Sequence, residues 1–156
     1  MPTDRAYLKQ AQAGHIASTG AADPIGEVSL AHEETFLFST FAAAPYVEQG
    51  FYVKKACRVK AVHLVAATTL AAHAANNITA TVAKRDGAGG AATTIGTRVT
   101  DVAGGDLTAF TPAAVTLVTT AGVTTLAAGN VITFKTADNG TTTEPLITVS
   151  ITVEYV

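Results

Sequence analysis

Histidine and cysteine are the side chains best suited to hold a metal or attack a substrate, and this chain has four of the first and one of the second. His15, His32, His63 and His73 are dispersed, and none forms the close pair, with a following carboxylate, that a strand-borne metal site would use. They read as structural or surface residues; the alternatives are a metal shared on a symmetry axis or a pH-sensitive site. Cys57 lies beside Lys54, Lys55, Arg58 and Lys60, whose charge would lower its pKa and make it a reactive thiol. The preferred reading is a small buried hydrophobe at a strand position. No serine sits in a Gly-x-Ser-x-Gly elbow, and Gly87-Ala88-Gly89-Gly90 lacks the Lys-Ser/Thr ending of a phosphate cradle, so it reads as a hairpin tip. Glu33 and Glu34 are adjacent, and neighbouring strand residues point to opposite faces, so they are not expected to act as a carboxylate pair. The chain is not expected to be an enzyme, and no catalytic residue, metal or cofactor is assigned.

Composition narrows the remaining classes. A chain of 156 residues fits one domain. Hydrophobic residues make up 48% and charged residues 14%, which is not the signature of a disordered polyelectrolyte. The formal charge of -2 argues against a nucleic-acid partner. The longest apolar clusters, 41–45 and 61–67, fall far short of the roughly 20 residues that span a bilayer, so no membrane partner is expected. A single cysteine excludes an intrachain disulfide. The first residues lack the basic flank and apolar core of a secretory signal, which predicts synthesis for the cytoplasm. The basic run Lys54, Lys55, Arg58 and Lys60 reads as a solvated strand face; as a binding surface it would suit an acidic protein.

These side chains must be positioned by strands. Thr and Val recur through the second half, punctuated by Gly, Asn and Asp, the composition of strands joined by turns. The clearest strand is 147–155, where Ile147, Val149, Ile151, Val153 and Tyr155 share one face and Thr148, Ser150, Thr152 and Glu154 the other. Weaker runs at 36–41, 51–67, 78–85, 93–102, 114–119 and 131–137 predict further strands. Turns are expected at 76–77, 86–90, 104–106, 121–122, 129–130 and 138–140, where residues tolerant of positive φ cluster. Residues 68–75, rich in alanine, read as a connector with room for one helical turn. Seven or eight short strands spaced in this way predict an all-β fold, an antiparallel β-sandwich of jelly-roll-like form, because two sheets can bury their inner faces against each other.

Residues 1–33 differ. Tyr7, Leu8, Ile16, Ile25, Val28 and Leu30 are scattered among Ala, Gly, Ser and Gln without helical or strand periodicity. They predict an extended N-terminal arm ahead of a β-sandwich domain over 34–156, an arm that orders only against a partner surface.

The phrasing of 69–156 resembles the small virion proteins of tailed bacteriophages, of the head decoration (cement) or head-fibre type. The residues that carry it are Thr69-Leu70-Ala71-Ala72-His73, Asn77-Ile78-Thr79-Ala80-Thr81-Val82-Ala83-Lys84-Arg85-Asp86-Gly87, Ala109-Phe110-Thr111-Pro112, Leu126-Ala127-Ala128-Gly129-Asn130-Val131-Ile132-Thr133-Phe134 and Thr148-Val149-Ser150-Ile151-Thr152-Val153-Glu154-Tyr155. The resemblance implies a structural protein made in the host cytoplasm that ends on the outer surface of the virion, with the major capsid protein and copies of itself, as a homotrimer, for partners. The arm residues Tyr7, Leu8, Ile16, Ile25, Val28 and Leu30 are then the expected capsid-binding anchors. The competing expectation is a fibre or receptor module whose outer loops bind a host glycan, with Tyr46, Tyr52 or Phe110 as stacking surfaces in a chain without tryptophan. A bacterial structural protein unrelated to phage is a further reading, since one sandwich hosts many functions.

Overall fold

The alternation at 147–155 becomes a single strand, Ile147–Tyr155, with Ile147, Val149, Ile151 and Val153 fully buried. The computed structural model describes residues 33–39, by their backbone, and 48–156. Along these residues run ten strands: β1 Glu33–Ser39, β2 Gln49–Tyr52, β3 Cys57–Ala66, β4 Asn77–Arg85, β5 Thr93–Val99, β6 Ala113–Ala114, β7 Thr116–Leu117, β8 Thr125–Leu126, β9 Val131–Asn139 and β10 Ile147–Tyr155. No helix occurs among them. One sheet has the order β1-β10-β3-β6, with β8 also paired to β3, and the other the order β2-β9-β4-β5-β7. Every pairing is antiparallel. The fold is an all-β antiparallel sandwich.

The pairs are nested: β1 with β10, β2 with β9, β3 with β6, β4 with β5. Apart from the β4–β5 hairpin, the chain therefore alternates between sheets as it advances, and each crossing covers one end of the core. Val62, Leu64, Val149 and Ile151 from the first sheet meet Ile78, Val82, Ile132 and Phe134 from the second in one apolar cluster. Fully burying a side chain of this size stabilises by about 1.5–3 kcal/mol, so this double layer dominates the stability.

Several sequence expectations change. The run 51–67 is two strands in different sheets, not one. At residues 53–56 the chain leaves the second sheet, with Val53 exchanging backbone hydrogen bonds with Asn130 and Gly129, and enters the first. Within β3 the alternation also breaks, because Val153 pairs with Val59 while Thr152 pairs with Ala61. Lys60 is the extra residue of a β-bulge, so Cys57 and Val59 face inward before it and Val62, Leu64 and Ala66 after it. The run 114–119 likewise divides into β6 and β7 around buried Val115, whose amide donates to Val62 O. The run 93–102 ends as a strand at Val99.

Residues 68–75 form no helical turn. Leu70 instead exchanges two 2.9 Å backbone hydrogen bonds with Leu107, an isolated bridge that holds the connector extended. The turns fall largely where expected, with positive φ at Gly89, Gly104, Gly122, Gly129 and Gly140. β8 is two residues long and leaves no alternation to read.

Candidate functional site

Because the pairs are nested, the connections sort to opposite ends of the sandwich. Residues 67–76, 100–112 and 140–146 gather at one end, and residues 53–56, 86–92 and 118–130 at the other.

The first end is laced by hydrogen bonds between its segments. Ala67 N donates to Leu146 O, Phe110 N to Ala66 O and His73 N to Thr100 O, each at 2.9 Å. Ala109 N donates to Thr69 Oγ1 at 3.1 Å, and Thr141 N to Asn76 Oδ1 at 3.1 Å. Arg98 reaches from β5 into the same region. Its Nη1 donates to Ala114 O at 2.9 Å and its Nη2 to Gly104 O and Asp106 O at 3.1 Å, so one side chain holds both flanks of the 100–112 segment.

At the tip of that segment Thr111 N donates to Thr108 O at 3.1 Å, closing a turn with Phe110 as its third residue. Phe110 has φ 55°, a left-handed conformation normally taken by Gly or Asn at this position, and it is the one non-glycine residue with positive φ among the described residues. The residue is 77% exposed. Local burial does not repay that backbone. Val102 and Leu146, both exposed, add apolar surface at the same end.

The opposite end is polar and tied down. Arg85 grips Glu48 through Nη2 at 2.7 Å and Nε at 3.2 Å, while its Nη1 donates to Gly90 O at 2.9 Å. The Arg85 hydrogen bonds, helped by Thr133, hold the Glu48 carboxyl below its ordinary range. Lys84 Nζ donates to Gly122 O and Thr125 O at 2.8 Å. Asp86 Oδ1 accepts from Ala88 N at 3.1 Å and Gly90 N at 2.7 Å, so the 86–90 segment is a hairpin tip, as expected. Tyr52 and Val156 are exposed here.

The other candidates fall as follows. His63 is half-buried on β3, opposite Ser150 and Ala114. His73 is exposed at the first end, where its Nδ1 accepts from Ala75 N at 3.1 Å and Asn76 N at 2.9 Å and so folds its own connector. Among the described residues no three His, Cys, Asp or Glu side chains gather as metal ligands. Cys57 is buried, and burial pushes its thiol pKa up, opposite to activation. The basic run does not form one face: Lys54 and Lys55 lie in the 53–56 connection, whereas Lys60 on β3 pairs with Glu154 at 3.3 Å. Glu33 and Glu34 take successive register positions opposite Glu154 and Val153. The anchors Tyr7, Leu8, Ile16, Ile25, Val28 and Leu30, together with His15, His32 and Tyr46, lie outside the described residues.

In the sequence Phe110 stands out only as an aromatic in Ala109-Phe110-Thr111-Pro112 and as a stacking surface. Its conformational cost was hidden, because an aromatic residue before Thr-Pro carries no mark of a left-handed turn. Compared with protein-family models and with curated proteins, the chain matches none.

Proposed function

We propose that this chain is a structural virion protein, a capsid decoration (cement) protein that binds the outer surface of a phage head and bridges neighbouring capsomers. The observation that carries the reading is the loop end itself: an exposed aromatic ring on a left-handed backbone, set in segments stitched to one another and to β5. A cement protein needs a rigid body and adhesive surfaces, and a two-layer β-sandwich with a fixed apolar tip supplies both. The nested strand pairing has the winding of a jelly roll, which supports the finer fold assignment. In this reading the partner is the major capsid protein, the active form is a homotrimer, and Tyr7, Leu8, Ile16, Ile25, Val28 and Leu30 are the capsid anchors that the Phe110 end supplements. Three copies acting together gain avidity of roughly 10² to 10⁴ over one contact.

The test is cosedimentation of the purified full-length chain with expanded phage heads. Saturable binding at a fixed ratio to capsomers, with a rise in the heads' melting temperature, is the expected result. Removal of residues 1–30 should abolish attachment while the β-domain stays folded by circular dichroism. Absence of the chain from purified particles would overturn the proposal.

The exposed rings of Phe110 and Tyr52 also favour a second reading, a head-fibre or glycan-binding module, since an exposed aromatic face is a sugar-stacking surface. Binding of the isolated chain to a glycan array, with no affinity for heads, would select it.

A further inference from the structure

Thr136 and Asp138 are two apart on β9, in phase with Ile132 and Phe134, whose side chains form the core. Their register partners on β4 are Ala80 and Ile78, both fully buried. The chain then turns at Gly140 and crosses to β10 through 141–146. In that crossing Thr142 and Glu144 are turned in while Thr141 and Thr143 are exposed. Two inward pairs thus meet at the end of the sandwich, and the Thr136 hydroxyl donates to the Glu144 carboxylate.

Glu144 is only 7% exposed, yet its Oε1 has no hydrogen-bond partner, and neither has the buried Oγ1 of Thr142. The charged side chain acting on Glu144 is Asp138, of the same sign. A buried carboxylate under the field of a second one, with an unpartnered buried hydroxyl two residues before it on the same crossing, is costly unless something positive joins them. A proton on Glu144 would answer one oxygen and leave the threonine unmet. A cation with several oxygen ligands answers all of them.

We propose that Asp138, Glu144, Thr136 and Thr142 form a binding site for a hard divalent cation, calcium by its tolerance of irregular, oxygen-only coordination. Backbone carbonyls and water complete the shell. The ion ties the crossing that carries Leu146 to β9, and thereby braces the loop end that bears Phe110. This site does not depend on the capsid reading, since it would stabilise the isolated chain.

The test uses the full-length chain, dialysed against a chelator at neutral pH and melted with calcium chloride, with magnesium chloride, or with sodium chloride at matched ionic strength. Calcium at about 100 times its dissociation constant should raise the melting temperature by about 5 °C or more. Magnesium, which demands stricter octahedral geometry, should raise it less. Glu144→Gln should abolish the calcium shift, yet melt at or above the wild-type temperature in calcium-free solution because a buried charge has gone. Calorimetric titration of wild type with calcium should give one ion per chain. No calcium shift in the folded wild type overturns the proposal, as does a shift that survives Glu144→Gln. A wild type indifferent to calcium but less stable from pH 5 to 8, with Glu144→Gln level over that range, would assign the oxygens to a bound proton and overturn it too.

Discussion

The amide of Phe110 donates to the carbonyl of Ala66 at 2.9 Å, fastening the tip of the 100–112 segment to the last residue of β3. The backbone is held and the ring is released to solvent. Holding a non-glycine residue in the left-handed region costs on the order of 1–2 kcal/mol. Phe110→Gly removes that cost but loosens the unfolded chain by about 0.5–1 kcal/mol, so stability should stay within about 1 kcal/mol of wild type. If the chain is the cement protein proposed above, head binding should by contrast fall at least about tenfold, the loss typical of a buried aromatic anchor. Denaturant melts and cosedimentation of the same variant measure the two effects. A variant that binds as well as wild type would show that the ring is not a contact.

The Glu48 and Arg85 pair predicts an acid-sensitive joint between the residue preceding β2 and the end of β4. Arg85 lowers the Glu48 pKa, so the folded state favours the charged carboxylate. A depressed carboxyl contributes stability that is present above its unfolded pKa and lost as pH falls through the folded one. Stability of the wild type should therefore decline more steeply on acidification than that of Arg85→Gln. Both side chains are about 30% exposed, so the difference is modest and shrinks with added salt. Chemical denaturation from pH 7 to pH 3, at low and high salt, reads it. Glu144, whose pKa is raised by burial, titrates with the opposite sign in both proteins and cancels from the comparison.

Cys57 separates a buried thiol from an activated one. It is 1% exposed, and desolvation raises its pKa, which suppresses the thiolate. At pH 8 the folded chain should react with a disulfide reagent at least about a hundredfold more slowly than the chain in denaturant, because the reaction must wait for opening. Rapid labelling of the folded chain would mean that the basic residues nearby do activate it.

The sequence made the strands legible wherever one face packs and the other does not. β10 matches its expected bounds because Ile147, Val149, Ile151 and Val153 alternate without interruption under a single sheet. β3 was blurred for the opposite reason. Lys60 inserts a bulge that reverses the alternation, and no residue type announces it. β6 and β7 were merged because Val115, between them, is as apolar as a strand residue while the chain changes sheets around it. The Phe110 loop end was less legible still, since nothing in Ala109-Phe110-Thr111-Pro112 marks a left-handed backbone. Glu144, of the proposed cation site, lies in a threonine-rich crossing with no motif, and only the folded hydrogen bond from Thr136 and the charge of Asp138 draw attention to it.

The bulge itself can be tested by two neighbouring truncations. If alternation ran unbroken from Cys57, residues 61, 63 and 65 would face the core and 64 would face out. With Lys60 bulged, Leu64 is 1% exposed in the apolar cluster while Val65 is half-buried on the outer face, opposite Thr148. Leu64→Ala should then cost about 2–5 kcal/mol, from lost transfer energy and the cavity left behind. Val65→Ala removes less carbon and leaves no enclosed cavity, so its cost should stay below about 1.5 kcal/mol. Equilibrium urea unfolding of the two variants gives the ratio directly. The reverse order would place the register of β3 one residue away from that in which Val62 meets Ile151.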